Sequence, residues 1–132
     1  MPNNSPISQA RSIAGTVLIL LPAVAVMLSE TAKLLRVPTV VQQMAAAGFG
    51  GGKLMLVGGL GLASALLFLI PRTRSIGLLL LSSFLGGAIC LHVQRGEYGK
   101  AFGPAMLLFV AWMGTSWRHP QMLWSFGNST SD

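Results

Sequence analysis

The chain has 132 residues, of which 52% are hydrophobic and only 9% are charged, against about 25% charged in soluble domains. Together with a mean hydropathy of +0.66, this excludes an ordinary soluble domain and indicates a membrane protein. Nine Lys and Arg against three Asp and Glu give a net charge of +6. Because these cations stand in ones and twos beside apolar segments, they predict membrane anchoring and no nucleic-acid partner.

Four apolar segments approach the roughly 20 residues that a helix needs to cross a bilayer. The predicted spans are about 13–35, 53–70, 76–93 and 102–117. The sequence therefore predicts an all-α membrane protein, a single four-helix transmembrane bundle over residues 11–120, with disordered polar tails at 1–10 and 121–132. We expect a multi-pass cell-membrane protein with both termini in the cytoplasm, on the evidence of the compact basic turn "PRTRS" and of Arg118.

The connection between the first two spans is "TAKLLRVPTVVQQMAAAGFGGG". It is too long for a tight turn and too apolar for a solvated loop. We predict a short interfacial segment here, with Pro38 starting an amphipathic turn or helix.

Glycines surround Lys53 as they do in a phosphate-binding loop, but the rest of that motif is absent. The Walker pattern needs a glycine five residues before the Gly-Lys pair and a Ser or Thr after it. Those positions hold Ala47 and Leu54. Small residues four apart are typical instead of closely packed membrane helices. They predict a packing seam between the second and third spans, at Gly59, Gly61, Gly86 and Gly87.

Four alternating spans bring most of the unusual polar residues to one membrane face. Ionisable groups at a bilayer boundary are costly unless they are paired, so such a cluster is a hypothesis for a functional site. The candidate polar site consists of Glu30, Lys33, Lys53 and His92, with Arg95, Glu97 and Tyr98 following His92. The alternative is a set of snorkelling anchors with one Glu30–Lys33 ion pair.

Cys90 is the single cysteine, which excludes an intramolecular disulfide and a CxxC redox pair. The chain has no flavin, haem or metal motif, so no intrinsic cofactor and no metal site are expected. Any electron chemistry must be brought by another molecule.

Three stretches resemble the DoxX-like family of small four-span membrane proteins: "SETAKLL", "GGGKLMLVGGLGLASALLFLIPRTRSIGLLLLSSFLGGAICLHVQRGEYG" and "GPAMLLFVAWMGTSWRHP". The positions that correspond to the family's pattern are Glu30, Lys33, Lys53, Pro71, His92 and Gly96. The chain departs from members with an acidic residue at the start of the second span, because it has Lys53 there.

The resemblance implies a four-helix membrane bundle and an accessory or redox-associated role, since some relatives are partners of quinone-linked sulfur oxidoreductases or of oxidative-stress assemblies. The resemblance also implies a quinone as the class of ligand. The expected partners are the lipid bilayer, a membrane or soluble redox protein and a second copy of the chain. The alternatives are a small transporter and a membrane-embedded enzyme acting on an apolar substrate, with Glu30, Lys33 and His92 as acid–base groups.

Overall fold

The computed structural model describes residues 5–121, and within that range all regular structure is helical. The helices are α1 (Pro6–Leu34), α2 (Pro38–Ala46), α3 (Gly52–Leu69), α4 (Arg74–Gln94) and α5 (Tyr98–Arg118). The four long helices correspond to the four predicted spans. The short α2 occupies the connection in which Pro38 was predicted to start a helix.

Helix α1 begins well before the first apolar residue of its predicted span. Ser5 caps it, because its side chain accepts a hydrogen bond from the backbone N–H of Ser8, and Pro6 occupies the first helical turn, where its missing N–H is not needed. Residues 6–10 are therefore helical, which corrects the predicted disordered tail at 1–10. Residues 1–4 and 122–132 lie outside the described residues, and with them nearly all of the C-terminal tail that was predicted.

The four long helices form a closed ring in which α1 packs on α3 and α5, and α4 packs on the same two helices. Helix α2 touches mainly α1. Apolar residues fill the centre of the ring: Ile19, Ala23, Val26, Ala65, Phe68, Leu78, Leu81, Leu85 and Ala111. Many large apolar side chains instead point outwards, among them Leu28, Leu56, Ile76, Leu79 and Phe109. Lipid tails can cover such a surface, whereas water cannot do so without cost.

Three helices among the described residues are long and apolar enough to cross a membrane, namely α1, α3 and α4. Helix α5 is also 21 residues long, but it contains Lys100, Pro104 and three glycines, which lower its mean hydropathy. These three helices support a membrane protein, whereas a fourth span formed by α5 is a proposal.

The glycine positions at which helices approach closely differ from the predicted seam. A Cβ at Gly61 would lie 2.7 Å from both Glu30 Cγ and Phe84 Cζ, so this glycine does meet α1 and α4. A Cβ at Gly59, Gly86 or Gly87 would meet nothing within 4 Å. The structure corrects this part of the prediction, and the reason is geometric: Gly59 and Gly61 are two residues apart, about 200° around the helix axis, so they face different neighbours.

Two further close helix approaches, both to backbone atoms, occur at glycines that the spacing rule did not select. A Cβ at Gly77 would overlap the backbone of Leu67 and Phe68, just after the tight turn between α3 and α4. A Cβ at Gly114 would lie 2.8 Å from Leu18 Cβ and 2.9 Å from the Leu18 carbonyl carbon. Gly77 therefore sets the contact between α3 and α4, and Gly114 sets the contact between α5 and α1.

Candidate functional site

Glu30 lies in the last turns of α1 and is only 1% exposed. Its Oε1 accepts a hydrogen bond from Lys33 Nζ at 2.5 Å, while its Oε2 is buried and has no hydrogen-bond partner among the described residues. Gly61 on α3 makes room for the carboxylate, because a side chain there would collide with Glu30 Cγ. A buried carboxylate oxygen without a donor is rare and costly, so it marks a candidate site.

Lys33 lies one turn after Glu30 and is largely buried, with 14% of its side chain exposed. Its ammonium group stands 5.4 Å from the centre of the Phe84 ring on α4. That distance is within the range of a cation–π contact. The ammonium group is therefore held between a carboxylate and an aromatic face, and its remaining N–H groups are available for a ligand.

The end of α4 is shaped by a Schellman motif that returns the chain to His92. Gly96 has φ +72°, its N–H bonds to the Val93 carbonyl, and the N–H of Glu97 bonds to the His92 carbonyl. Glycine is favoured at this position because it has no Cβ penalty at positive φ. The turn places Glu97 Oε2 3.1 Å from His92 Nδ1.

Two cationic side chains lie close to the Glu97 carboxylate. Lys100 Nζ donates to its Oε1 at 3.1 Å, and Arg95 Nη1 lies 3.7 Å from its Oε2. The hydrogen bond from Lys100, then that from His92, and the nearby Arg95 charge hold the pKa of Glu97 below its usual value. An ionised carboxylate only accepts hydrogen bonds, so Nδ1 of His92 carries the hydrogen and Nε2 of the neutral ring presents a lone pair.

The Glu30–Lys33 pair and the His92–Glu97 pair line one cavity of about 790 Å³. The cavity lies at the end of the bundle where α1 and α4 end and α3 and α5 begin. The volume is within the roughly 300–1,000 Å³ of small-molecule sites. Its polar lining includes Glu30, Lys33, Ser83, His92 and Glu97. Most of the remaining wall is apolar, including Val26, Leu60, Phe84, Leu91 and Leu107, and α2 adds Val40 and Met44. The cavity thus combines apolar walls with a few ionisable groups.

Of the four residues predicted for the polar site, the structure brings together Glu30, Lys33 and His92 in this cavity. Lys53 does not line it. It is the second residue of α3 and is exposed, one helical turn before Val57, where α3 joins the wall. Lys53 thus lies at the same end of the bundle as the cavity but not among the residues that line it.

The cavity also contains side chains outside the predicted site. In the sequence, Phe84 is one of many apolar residues of the predicted span 76–93, and Met44 belongs to the predicted interfacial segment. Glu97 had a usable signal, because a glycine just after a helix end commonly forms a Schellman turn and returns the next residue to the last helical turn. The apolar wall residues had no comparable signal.

A separate basic cluster lies at the opposite end of the bundle. Arg74 donates from Nε to the Phe68 carbonyl and from Nη2 to the Leu69 carbonyl, and its Nη1 lies 2.9 Å from His119 Nε2. Arg118 donates to Thr16 Oγ1. Burial, and then the Arg74 and Arg118 charges, lower the pKa of His119. These contacts close the ends of α3 and α5, and no carboxylate takes part in them.

A ring of long, outwardly apolar helices around a cavity with a buried acid defines a small helical membrane protein with a ligand-sized chamber near one end. The sequence model of the DoxX-like family matches residues 16–114, which include most of α1 and α5 and all of the helices between them. The chain belongs to the DoxX-like family. Searches of curated proteins and of solved structures found no significant match.

Proposed function

We propose that this DoxX-like protein binds the headgroup of a membrane quinone in the cavity and serves as an accessory subunit of a redox assembly. The observation that carries this proposal is the cavity itself, in which Glu30, Lys33 and His92 interrupt a largely apolar wall. A quinone likewise combines polar and apolar parts, since it has two ring oxygens and an apolar tail. The family membership supports the redox association.

The chemistry of the side chains supports a ring ligand that carries oxygens. Lys33 has N–H groups to donate to a ring oxygen, and the His92 ring adds a second hydrogen-bonding group on the cavity wall. The bound quinone would supply the two-electron chemistry. The residues of this chain bind and orient the ring and exclude water from it, while electrons come from a membrane or soluble redox partner.

A membrane-embedded enzyme acting on an apolar substrate is the second candidate, because Glu30 and His92 are acid–base groups on the wall of one cavity. Conversion of a bound apolar compound by the purified chain alone would favour it. Binding without conversion favours the accessory role. Association with a second copy of the chain stays a prediction.

The binding proposal predicts that the purified chain takes up a short-tailed benzoquinone or its quinol and is stabilised against heat by it. His92→Ala removes a polar wall group that is a quarter exposed, so we expect affinity to fall at least tenfold with normal folded yield. Lys53→Ala is the matched control, because Lys53 shares the membrane face but lies outside the cavity. Equilibrium dialysis and thermal unfolding in detergent measure both quantities. Absence of binding of either form by the wild type would refute the proposed function.

We further propose four passes, with both termini in the cytoplasm. Arg72 and Arg74 stand in one short turn, and Arg11 and Arg118 lie at the same end of the bundle. No described acidic residue pairs with these four, whereas at the cavity end Lys33, Arg95 and Lys100 are engaged in ion pairs and Arg36 and Lys53 are not. The anionic inner leaflet favours the end with the larger number of unpaired cations.

Single cysteines in a Cys90→Ser background test this orientation with a membrane-impermeant maleimide. We expect Gln42→Cys, on exposed α2, to react in intact cells, and Pro71→Cys and Gln121→Cys to react only after lysis. The reverse pattern would invert the orientation. Reaction of Gln121→Cys together with Gln42→Cys would show that α5 does not cross the membrane.

A further inference from the structure

Resting on the proposed function, we propose that the cavity binds the reduced quinol in preference to the oxidised quinone, with Glu30 Oε2 accepting a hydrogen bond from a ring hydroxyl. The two redox forms have nearly the same shape and the same tail. They differ in hydrogen bonding, since a quinol oxygen can donate while a quinone oxygen can only accept.

The first observation is the unpaired acceptor on Glu30. Oε1 is occupied by Lys33 Nζ at 2.5 Å, and Oε2 is buried with no donor among the described residues. The neighbouring Gly61 and Phe84 offer no side-chain donor. A ligand hydroxyl that reaches Oε2 would satisfy an atom that the protein itself leaves unsatisfied.

The second observation is the acceptor on His92. Because Nδ1 faces Glu97 Oε2 at 3.1 Å and Glu97 is ionised, the neutral ring presents Nε2 as an acceptor, and Nε2 has no hydrogen bond within residues 5–121. The same cavity therefore offers two acceptors, one carboxylate oxygen and one imidazole nitrogen. A ring with two hydroxyl groups carries two donors.

The oxidised form fits this set of groups less well. A carbonyl oxygen placed beside Glu30 Oε2 would bring two acceptors together in an apolar surrounding, which is repulsive. Lys33 can donate to a carbonyl oxygen or to a hydroxyl oxygen, so it excludes neither form. The unpaired acceptors on Glu30 and His92 therefore favour the quinol, whose hydroxyl groups can donate to them. A tenfold preference would raise the midpoint potential of the bound two-electron couple by about 30 mV.

The test compares three ligands of one ring and tail under anaerobic conditions: the quinol, the quinone and the quinol dimethyl ether, which keeps the ring oxygens but has no donor. Equilibrium dialysis with the full chain in detergent should give a Kd for the quinol at least tenfold below those of the other two. The ether comparison needs no variant protein, so the result does not depend on the folding of a mutant.

Glu30→Gln supplies an amide in place of the carboxylate and should reduce the preference for quinol over quinone to less than threefold. Lys53→Gln, outside the cavity, should keep the full preference. Equal binding of quinol and quinone by the wild type, or tighter binding of the ether, would overturn this inference and leave the proposed function standing. Binding of none of the three ligands would overturn both.

Discussion

Gly77→Ala is expected to prevent formation of the folded bundle or to destabilise it by more than about 3 kcal/mol, at the upper end of the cost of overpacking. The added methyl group would overlap the backbone of Leu67 and Phe68. Backbone atoms cannot move aside as the end of a flexible side chain can. Helices α3 and α4 would have to separate, which would also disturb Phe68 and Leu78 in the core.

Gly87→Ala is the matched control on the same helix, because a Cβ there meets nothing within 4 Å. Alanine also has a higher helix propensity than glycine, so this variant should be as stable as the wild type or slightly more stable. Folded yield by size-exclusion chromatography and thermal unfolding in detergent compare the two. A Gly77→Ala protein that unfolds at the wild-type temperature would contradict the close approach of α3 and α4.

Lys33→Met is expected to cost about 3–5 kcal/mol of stability, the range observed when one partner of a buried ion pair is removed. Lys33 Nζ is the hydrogen-bond donor to Glu30 Oε1, and the other carboxylate oxygen has none. Methionine keeps most of the side-chain volume beside Phe84, although the cation–π contact is lost together with the ion pair. The loss therefore reports the uncompensated carboxylate rather than a cavity.

The double variant Glu30→Gln/Lys33→Met should recover most of the lost stability, because it removes the stranded charge as well. Lys100→Met is the matched control: its ion pair with Glu97 is exposed, with 63% of the lysine side chain accessible, so this variant should be about as stable as the wild type. Denaturant unfolding of the wild type, Glu30→Gln, Lys33→Met and the double variant gives the coupling energy, and Lys100→Met is measured beside them. A single Lys33→Met variant as stable as the double variant would show that Glu30 is not held as a buried charge.

The helical organisation was largely predictable from the sequence. The predicted spans 53–70 and 76–93 differ from α3 and α4 by two residues or fewer at each end, since the apolar stretches stop at Lys53, Pro71 and Gln94. The extension of α1 back to Pro6 was missed because residues 1–10 are rich in Asn, Ser and Pro, and the Ser5 cap explains it. Local capping lengthened this helix beyond its apolar stretch.

The candidate site was only partly predictable. The alternation of spans correctly brought Glu30 and His92 to one end of the bundle, because that follows from chain direction alone. It could not separate Lys53 from them, since the position of a residue along a helix does not say whether its side chain reaches the interior. The alternation of spans also could not predict the cavity, because the cavity depends on how α2, Phe84 and the start of α5 enclose the space.

What the sequence by itself determined was the class of protein, the number of its long helices, the extents of α3 and α4 and the end of the bundle that carries the acid and the histidine. These properties depend on apolar length and chain direction, which are local. Only the tertiary structure decided that Glu30 is buried with a free oxygen, that Gly77 rather than Gly59 sits at a close approach, and that one cavity joins Glu30 to His92. Those features depend on the rotation of each helix about its own axis, and the packing of side chains from several helices fixes that rotation.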